Sequence, residues 1–219
     1  MQKFFRQWAS TAAVAAAVLL PQVQASTLID FEGSTGLYFP GDSFVQAGYR
    51  MTAIGDFGTV DTAAALGAVA PTGNTTEFYF NSNEGGLLVE RADGGKFNLD
   101  GFSAAFVPLD PAPSPAQRIV LIADVGLYGY YFDLGDTTAD KNHPFLTYSG
   151  LGGYFPEVSY VLFYGCVLSS SGVCVDPTNN NAQFAIDNIG VTAVPEPTTV
   201  ALMALGLAGL ALRARRGLC

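Results

Sequence analysis

Short hydrophobic runs alternate with polar positions through the middle of the chain, and clusters of Gly, Asn, Asp and Pro separate them. Short apolar runs bounded by turn residues in this way are typical of β-strands. The one helical candidate is the small, Ala-rich segment Thr62–Val69. The pattern therefore predicts an all-β domain. The nine predicted strands are Thr27–Phe31, Ser43–Thr52, Glu77–Asn81, Leu87–Arg91, Lys96–Phe106, Arg118–Asp124, Leu127–Asp133, Val158–Val167 and Gln183–Thr192.

Several predicted strands are apolar on both faces, among them Ile119–Ile122 and Val161–Tyr164. Such strands suit two sheets that pack face to face, and we predict a jelly-roll-like β-sandwich. The turn Asp93–Gly95 predicts a β-hairpin between the strands on either side of it. The proline-rich segment 108–115 is expected to stay outside both sheets, because proline cannot donate to a ladder.

The N-terminal segment Met1–Ala25 has the pattern of a secretory signal peptide. Lys3 and Arg6 precede the apolar stretch Ala9–Leu20, and the segment ends in small residues. An apolar run this short, followed by small residues, is typical of a cleaved export signal. We therefore expect cleavage after Ala25 and a single β-sandwich domain over residues 26–193.

Charge in this middle domain is strongly acidic. The whole chain has 10 basic and 19 acidic residues and a net charge of -9 at pH 7. The middle domain holds five of the basic residues and eighteen of the acidic ones. Because nucleic-acid affinity depends on Lys and Arg that neutralise phosphates, no nucleic-acid partner is expected.

Two of the three cysteines fall within the domain. Cys166 and Cys174 flank a short segment that reads as a turn between two strand ends, and Cys219 lies near the C-terminus. An exported domain meets an oxidising compartment, where thiols can pair. We therefore predict a local disulfide between Cys166 and Cys174, the alternative being two reduced thiols.

The last segment joins three features in a fixed order. Pro195, Glu196 and Pro197 precede the apolar stretch Val200–Leu212, and a cluster of arginines follows. The apolar residues predict a single transmembrane helix, and the arginines are expected to stay on its cytoplasmic side. The span Thr198–Leu212 is short for a bilayer, which fits a temporary anchor. The arginines of the cluster are Arg213, Arg215 and Arg216.

This tail, residues 194–217, resembles the PEP-CTERM protein-sorting signal of exopolysaccharide-producing Gram-negative bacteria. The resemblance implies that Pro195, Glu196 and Pro197 are recognised by exosortase, a membrane-embedded cysteine protease that is thought to remove such tails. It further implies an exported protein that is anchored in the inner membrane in transit and then reaches the cell envelope or extracellular matrix.

Two short stretches near the ends of the domain resemble extracellular MAM-type and carbohydrate-binding jelly rolls. They are Asp30–Glu32 and Phe184–Ile189. The resemblance implies terminal strands that lie side by side and acidic residues that hold a structural cation. Glu32 and Asp187 are hard oxygen ligands that suit Ca²⁺. The alternative is that both carboxylates are exposed, or that Asp187 caps a turn.

No catalytic motif emerges from the sequence. The single histidine, His143, falls in a polar segment, no Gly-x-Ser-x-Gly elbow occurs, and we interpret His143 as a solvated loop residue. Too few soft ligands remain for a zinc site. Carboxylate pairs for glycoside hydrolysis are possible but unspecific, since the domain is rich in acids. Asp133, Asp136 and Asp140 form the densest acidic loop, interpreted as solvated.

Tyrosines offer a binding alternative to catalysis. Tyr128 and Tyr130 share one strand face by period two, and Tyr154 lies in a Gly-rich loop. Exposed tyrosine rings can stack on sugars, whereas core packing is their default role. We therefore expect a non-catalytic structural or glycan-binding domain with polysaccharide as a partner. The alternative is a secreted glycoside hydrolase or lyase that acts on matrix polysaccharide.

Overall fold

Two antiparallel sheets of seven strands each form the architecture of the computed structural model. It describes residues 25–67, 70–82, 84–107, 118–124, 129–134, 143–175, 182–195, 203–210 and 213. Residues Ser26–Val194 form one compact unit, and all strands given below lie within it.

The first sheet has the strand order β11-β8-β14-β6-β5-β2, and β1 also pairs with β14. Its strands are β1 (Ser26–Ile29), β2 (Gly36–Tyr38), β5 (Gly58–Thr62), β6 (Glu77–Asn81), β8 (Phe97–Phe106), β11 (Leu146–Ser149) and β14 (Phe184–Ala193). The first and last strands of the domain are therefore neighbours, with Ile29 opposite Ile189. This confirms the expectation that the terminal strands lie side by side.

The second sheet has the order β10-β9-β12-β7-β4-β3, and β13 pairs with β12. Its strands are β3 (Ser43–Gln46), β4 (Tyr49–Ile54), β7 (Gly86–Arg91), β9 (Arg118–Ala123), β10 (Tyr130–Asp133), β12 (Tyr160–Leu168) and β13 (Cys174–Val175). A one-turn helix α1 (Ala63–Leu66) lies within the segment predicted as helical, and a 3₁₀ turn spans Leu151–Gly153. The predicted two-sheet sandwich is confirmed, while its jelly-roll topology stays a prediction.

Aromatic side chains join the two sheets in the core. Phe102 of β8 in the first sheet lies edge-on to Phe163 of β12 in the second, with 5.3 Å between ring centroids. Phe102 also contacts Phe132 and Tyr148. Because side chains alternate along a strand, a phenylalanine that points inward here leaves the next residue, Ser103, on the outer face.

Two local predictions are wrong. The run Ser43–Thr52 was predicted as one strand, yet β3 and β4 form a hairpin, because Ala47 and Gly48 both take positive φ (52° and 84°) and reverse the chain. The turn Asp93–Gly95 does not make a hairpin, since β7 and β8 lie in different sheets. That turn carries the chain from one sheet to the other.

The predicted disulfide is confirmed. Cys166 near the end of β12 is bonded to Cys174 of β13, with 5.6 Å between their Cα atoms. These strands form a hairpin in which Leu168 is opposite Cys174. The bond therefore closes a short loop at the C-terminal end of β12, an interior strand of the second sheet.

The chain ends contain few described residues. Residues 203–210 are helical, and no helix within the described ranges is long and apolar enough to cross a membrane. The remainder of the predicted span, residues 198–202 and 211–212, lies outside the described residues. The same holds for residues 1–24 of the expected signal peptide.

Candidate functional site

A row of polar side chains crosses the outer face of the first sheet. Thr147 of β11 is the cross-strand partner of Ser103 in β8, and Ser103 is the partner of Asp187 in β14. Partners in antiparallel strands point to the same face, so the three side chains lie side by side. The Ser103 Oγ and Thr147 Oγ1 atoms are 2.9 Å apart.

Strand β11 lies close against β8 because Gly101 carries no side chain. A Cβ atom at Gly101 would lie 2.5 Å from the carbonyl oxygen of Tyr148, which is shorter than any tolerated contact. The glycine therefore keeps the edge strand, and Thr147 on it, beside Ser103.

Asp187 is fully buried at the end of this row, and hydrogen-bond donors surround its carboxylate. Asn74 Nδ2 donates to Oδ2 at 2.7 Å, and Thr76 Oγ1 donates to the same atom at 3.4 Å. The backbone N–H of Asn188 donates to Oδ1 at 2.7 Å, and its side-chain Nδ2 donates to Oδ2 at 2.9 Å. The carboxylate thus fixes the loop over residues 74–76 against β14.

Burial is the main electrostatic influence on Asp187. The pKa of this carboxyl group is raised from 3.8 to about 6, mainly because burial removes its solvation and to a smaller extent because of the nearby Asp30 carboxylate. The hydrogen bonds from Asn74, Asn188 and Thr76 act in the opposite direction, since they favour the charged form. Loss of solvation outweighs these donors.

A recess of about 290 Å³ opens beside the row. It is lined by residues Gly73–Thr76, Ser103, Phe145, Thr147 and Asn188, and none of these carries a charge. We call it the polar recess. Its lining is made almost wholly of hydroxyl, amide and backbone groups, with one aromatic ring.

Asn188 reaches the polar recess because the strand bulges there. Its φ is 53°, in the left-handed region, and the register of β14 against β8 shifts between Asp187 and Gly190. A β-bulge re-aims side chains and is frequent beside functional sites. The exposed Asn188 side chain thus stands next to the buried carboxylate.

Sequence reasoning named Asp187, which lies beside the polar recess, but it did not single out the residues that line the recess. Two signals could have done so. Ser103 is the one polar residue in the run Phe102–Phe106, and Asp187 with Asn188 interrupts the otherwise apolar start of β14. Successive side chains of a strand point to opposite faces, so a single polar residue between apolar neighbours is expected on the face away from the core. Where that residue is also buried, other groups of the protein must supply its hydrogen bonds.

The tyrosines predicted to bind glycans are partly brought together. The rings of Tyr130 and Tyr154 contact each other edge to face, with centroids 5.9 Å apart, and Tyr130 rests on buried Phe155 at 4.6 Å. Tyr154 is 58% exposed, whereas Tyr130 is half-buried. Tyr128 lies outside the described residues. We call Tyr130 and Tyr154 the tyrosine pair.

Glu32 and Asp187 are each hydrogen-bonded to the segment over residues 74–77. Glu32 is exposed, and its Oε1 accepts the backbone N–H of Glu77 at 3.0 Å, one residue after Thr76. The alternative that both carboxylates are exposed holds for Glu32 and is wrong for Asp187, which is fully buried. Among the described residues, no group of three or more His, Cys, Asp or Glu side chains could hold a metal. The Ca²⁺ site at Glu32 and Asp187 stays a prediction.

The interpretation of His143 as a solvated loop residue is wrong. The side chain is 8% exposed, and its ring packs 3.8 Å from that of Phe106. Burial lowers the pKa of the imidazole, because desolvation disfavours its charged form. Its backbone carbonyl accepts the N–H of Thr72 at 2.9 Å, which ties this segment to the loop that leads into the polar recess.

Of the predicted acidic loop, only Asp133 is described. It is an exposed carboxylate that pairs with Arg118 across β10 and β9. Asp136 and Asp140 lie outside the described residues.

The last residue of the domain, Val194, is hydrogen-bonded to residues on both sides of the turn Asp93–Gly95. The N–H of Val194 donates to the Lys96 carbonyl at 2.9 Å, and Arg91 Nη1 donates to the Val194 carbonyl at 3.3 Å. The side chain of Arg91 also pairs with Asp93. The residue that directly precedes Pro195 is thus part of the folded domain.

The predicted sorting residues lie mostly beyond the described ranges. Pro195 and Arg213 are described and exposed. The others, Glu196, Pro197, Arg215 and Arg216, lie outside the described residues.

Comparison with known proteins gives a sequence match at the tail and loose structural matches for the sandwich. No curated protein matches the chain. Among solved structures, three variants of the family 29 carbohydrate-binding module CBM29-2 are similar, and one has 12% identity and a TM-score of 0.34 over 78% of this chain and 92% of that chain. A second has 13% identity and a TM-score of 0.35, over 79% and 99%. A third has 12% identity and a TM-score of 0.33, over 81% and 95%.

The sequence resemblance of the tail is confirmed, since residues 193–216 match the family model of the PEP-CTERM protein-sorting motif.

Proposed function

We propose that the protein is exported, sorted through its C-terminal Pro-Glu-Pro signal by an exosortase-type protease, and delivered to the cell envelope or matrix of a Gram-negative bacterium. The sorting-motif match at residues 193–216 carries this proposal. The delivered part is a β-sandwich that acts without catalysis, as a glycan-binding or structural module of the polysaccharide matrix.

Replacing Glu196 with alanine tests the sorting step. We expect the variant to stay with the membrane fraction, because the proline-flanked glutamate is the feature that the protease reads. Mass spectrometry of the secreted protein in its host measures where the chain ends.

A Thr198→Ala variant, just beyond the Pro-Glu-Pro residues, is the matched control and should be processed as usual. Secretion of Glu196→Ala with the same C-terminal end as the unchanged protein would contradict the sorting role.

Glycan binding is supported by the geometry of the tyrosine pair. Tyr154 offers an exposed ring, and the half-buried Tyr130 holds it from the side while resting on Phe155. Aromatic rings fixed in this way give an apolar face with a wet hydroxyl, which suits the face of a sugar ring. Binding by fixed side chains loses little conformational entropy.

Tyr154→Ala is therefore expected to weaken retention on the host's own exopolysaccharide about 2- to 12-fold, the equivalent of about 0.5–1.5 kcal/mol for one aromatic contact. Affinity electrophoresis in gels that contain the polysaccharide measures this change.

Tyr131→Ala is the matched control, because Tyr131 is 54% exposed but lies on the other face of β10. Equal retention of Tyr154→Ala and the unchanged protein would refute the tyrosine pair as a binding site. Release of reducing ends from the polysaccharide would instead favour the enzyme alternative.

A further inference from the structure

We infer that the polar recess binds one neutral hexose unit of a glycan, as a second site that shares no residue with the tyrosine pair. The inference rests on the proposed glycan-binding function and adds the ligand class of a separate site. The lining of the polar recess comes from β8, β11 and β14 of the first sheet, from Phe145 just before β11, and from the loop over residues 73–76.

The size of the recess sets the first limit on the ligand. Small-molecule sites usually measure about 300–1,000 Å³, so a recess of about 290 Å³ is at the lower end of that range. One sugar ring, with about a dozen non-hydrogen atoms, suits such a volume, whereas a longer oligosaccharide would have to extend out of it. We therefore assign one ring to the recess.

The hydrogen-bonding groups of the recess set the second limit. Ser103 Oγ and Thr147 Oγ1 share one hydrogen bond, so the pair keeps one free hydroxyl hydrogen and further lone pairs. Asn188 donates through Nδ2 to Asp187, while its Oδ1 accepts no hydrogen bond within the described part of the chain. A ligand that both donates and accepts at closely spaced positions satisfies these groups. Vicinal sugar hydroxyls do this.

Phe145 supplies the apolar part of the site. Its ring is half-buried and held edge to face by Phe78, with centroids 5.3 Å apart. The remaining lining is polar, so this ring is the natural contact for the C–H face of a sugar. A site with one apolar wall and several hydroxyl partners discriminates a sugar from a simple alcohol.

Charge selects a neutral sugar over an acidic one. The buried Asp187 carboxylate lies behind Asn74 and Asn188, and no Lys or Arg is among the lining residues. A uronate or sulfated sugar would bring a second negative charge to this place with no cation to pair it. We therefore expect neutral hexoses to bind and hexuronates to be excluded.

Asp187 also keeps the recess in shape. It accepts from Asn74 on the loop and from Asn188 on the bulge, so both walls are hydrogen-bonded to the same carboxylate. Walls fixed before binding reduce the entropy cost of association.

Amide chemical-shift titration of the ¹⁵N-labelled full chain tests the inference. The probes are D-glucose, D-galactose, D-mannose and, as the acidic counterpart, D-glucuronate. We expect at least one neutral hexose to shift the amide signals of Ser103, Thr147 and Asn188 saturably, and D-glucuronate to leave them unchanged. Absence of saturable shifts with all three hexoses, or equal binding of D-glucuronate, would overturn the assignment.

Two variants make the test specific to the recess. Thr147→Tyr fills it from an exposed position on an edge strand, and Asn188→Gly removes the amide at a left-handed φ that glycine adopts freely. We expect each to weaken hexose binding about tenfold or more, which corresponds to about 1.4 kcal/mol. Unchanged affinity in a folded Asn188→Gly variant would sink the proposal even if Thr147→Tyr did not fold.

Val45→Tyr is the matched control for Thr147→Tyr, since Val45 is an exposed position on β3, an edge strand of the second sheet. Its hexose affinity should equal that of the unchanged protein. Tyr154→Ala should likewise leave the hexose shifts intact while weakening polysaccharide retention. The hexose-induced shifts therefore test the polar recess, and the retention on polysaccharide tests the tyrosine pair. A negative result in one of these measurements leaves the other site standing.

Discussion

Replacing Phe102 with alanine is expected to lower the free energy of unfolding by about 3–5 kcal/mol, the usual cost of removing a buried phenylalanine ring. The side chain is 1% exposed and contacts Phe163 of the opposite sheet. It also holds Phe132 and Tyr148, with centroids 5.2 and 5.0 Å away. Its loss leaves a cavity where the two sheets are joined, behind the polar recess.

Denaturant unfolding, followed by far-ultraviolet circular dichroism, measures this change. The matched control is Phe39→Ala, the same substitution at a side chain that is 59% exposed, where the effect should stay within about 0.5 kcal/mol. A Phe102→Ala loss as small as that of the control would show that these rings do not join the sheets.

The fold class could be predicted because period-two alternation reports directly on burial in strands. The long strands β8, β12 and β14 are in part apolar on both faces, and they could be predicted because each is a run of apolar residues bounded by turn residues. Strand β2 has three residues, and β5 contains Gly58, Thr59 and Asp61 around one buried valine. Such short or polar strands are stabilised by their neighbours in the sheet, which the local pattern does not contain.

Pairing between strands was harder to predict than the strands themselves. The turn Asp93–Gly95 has hairpin residues, yet the strands on either side enter different sheets. Turn chemistry determines that the chain reverses, and burial of both apolar faces determines where the next strand goes. Conversely, Ala47–Gly48 reverses the chain although alternation continues through it.

The sorting tail and the candidate sites differ in how they are encoded. The tail is contiguous, so its order of residues is legible in the sequence, and residues 193–216 match the sorting motif. The polar recess instead unites Asn74, Ser103, Thr147 and Asn188, which lie far apart in the chain and meet only through the pairing of β11, β8 and β14. Of this region, sequence reasoning named Asp187, and for a different role.

Asp187 gives the domain a pH-dependent stability with a definite sign. Its folded-state pKa of about 6 is higher than the value of 3.8 expected when the chain unfolds. Below about pH 3.8 the carboxyl group is protonated in both the folded and the unfolded chain, and its contribution to the free energy of unfolding is fully present. As pH rises toward and through 6, the unfolded chain releases the proton more readily, and that contribution is lost. The change amounts to about 3 kcal/mol at about 1.4 kcal/mol for each pKa unit.

Comparison with Asp187→Asn isolates this contribution, because the amide does not titrate. The variant should be less stable than the unchanged protein, since its new NH₂ group meets donors from Asn74 and Asn188. Its deficit should shrink by about 2 kcal/mol between pH 4 and pH 7, which is most of the full change. Denaturant unfolding at several pH values measures the difference.

Two further variants separate the carboxyl group from its surroundings. Asn74→Ala removes a donor that favours the charged form, so the pKa of Asp187 should rise and the loss of stability should extend to higher pH. Thr76→Ser keeps its hydroxyl donor and should leave the pH window unchanged. A deficit of Asp187→Asn that stays constant from pH 4 to pH 7 would mean that solvent reaches this carboxylate in the folded domain, and that the loop over residues 74–76 does not seal it.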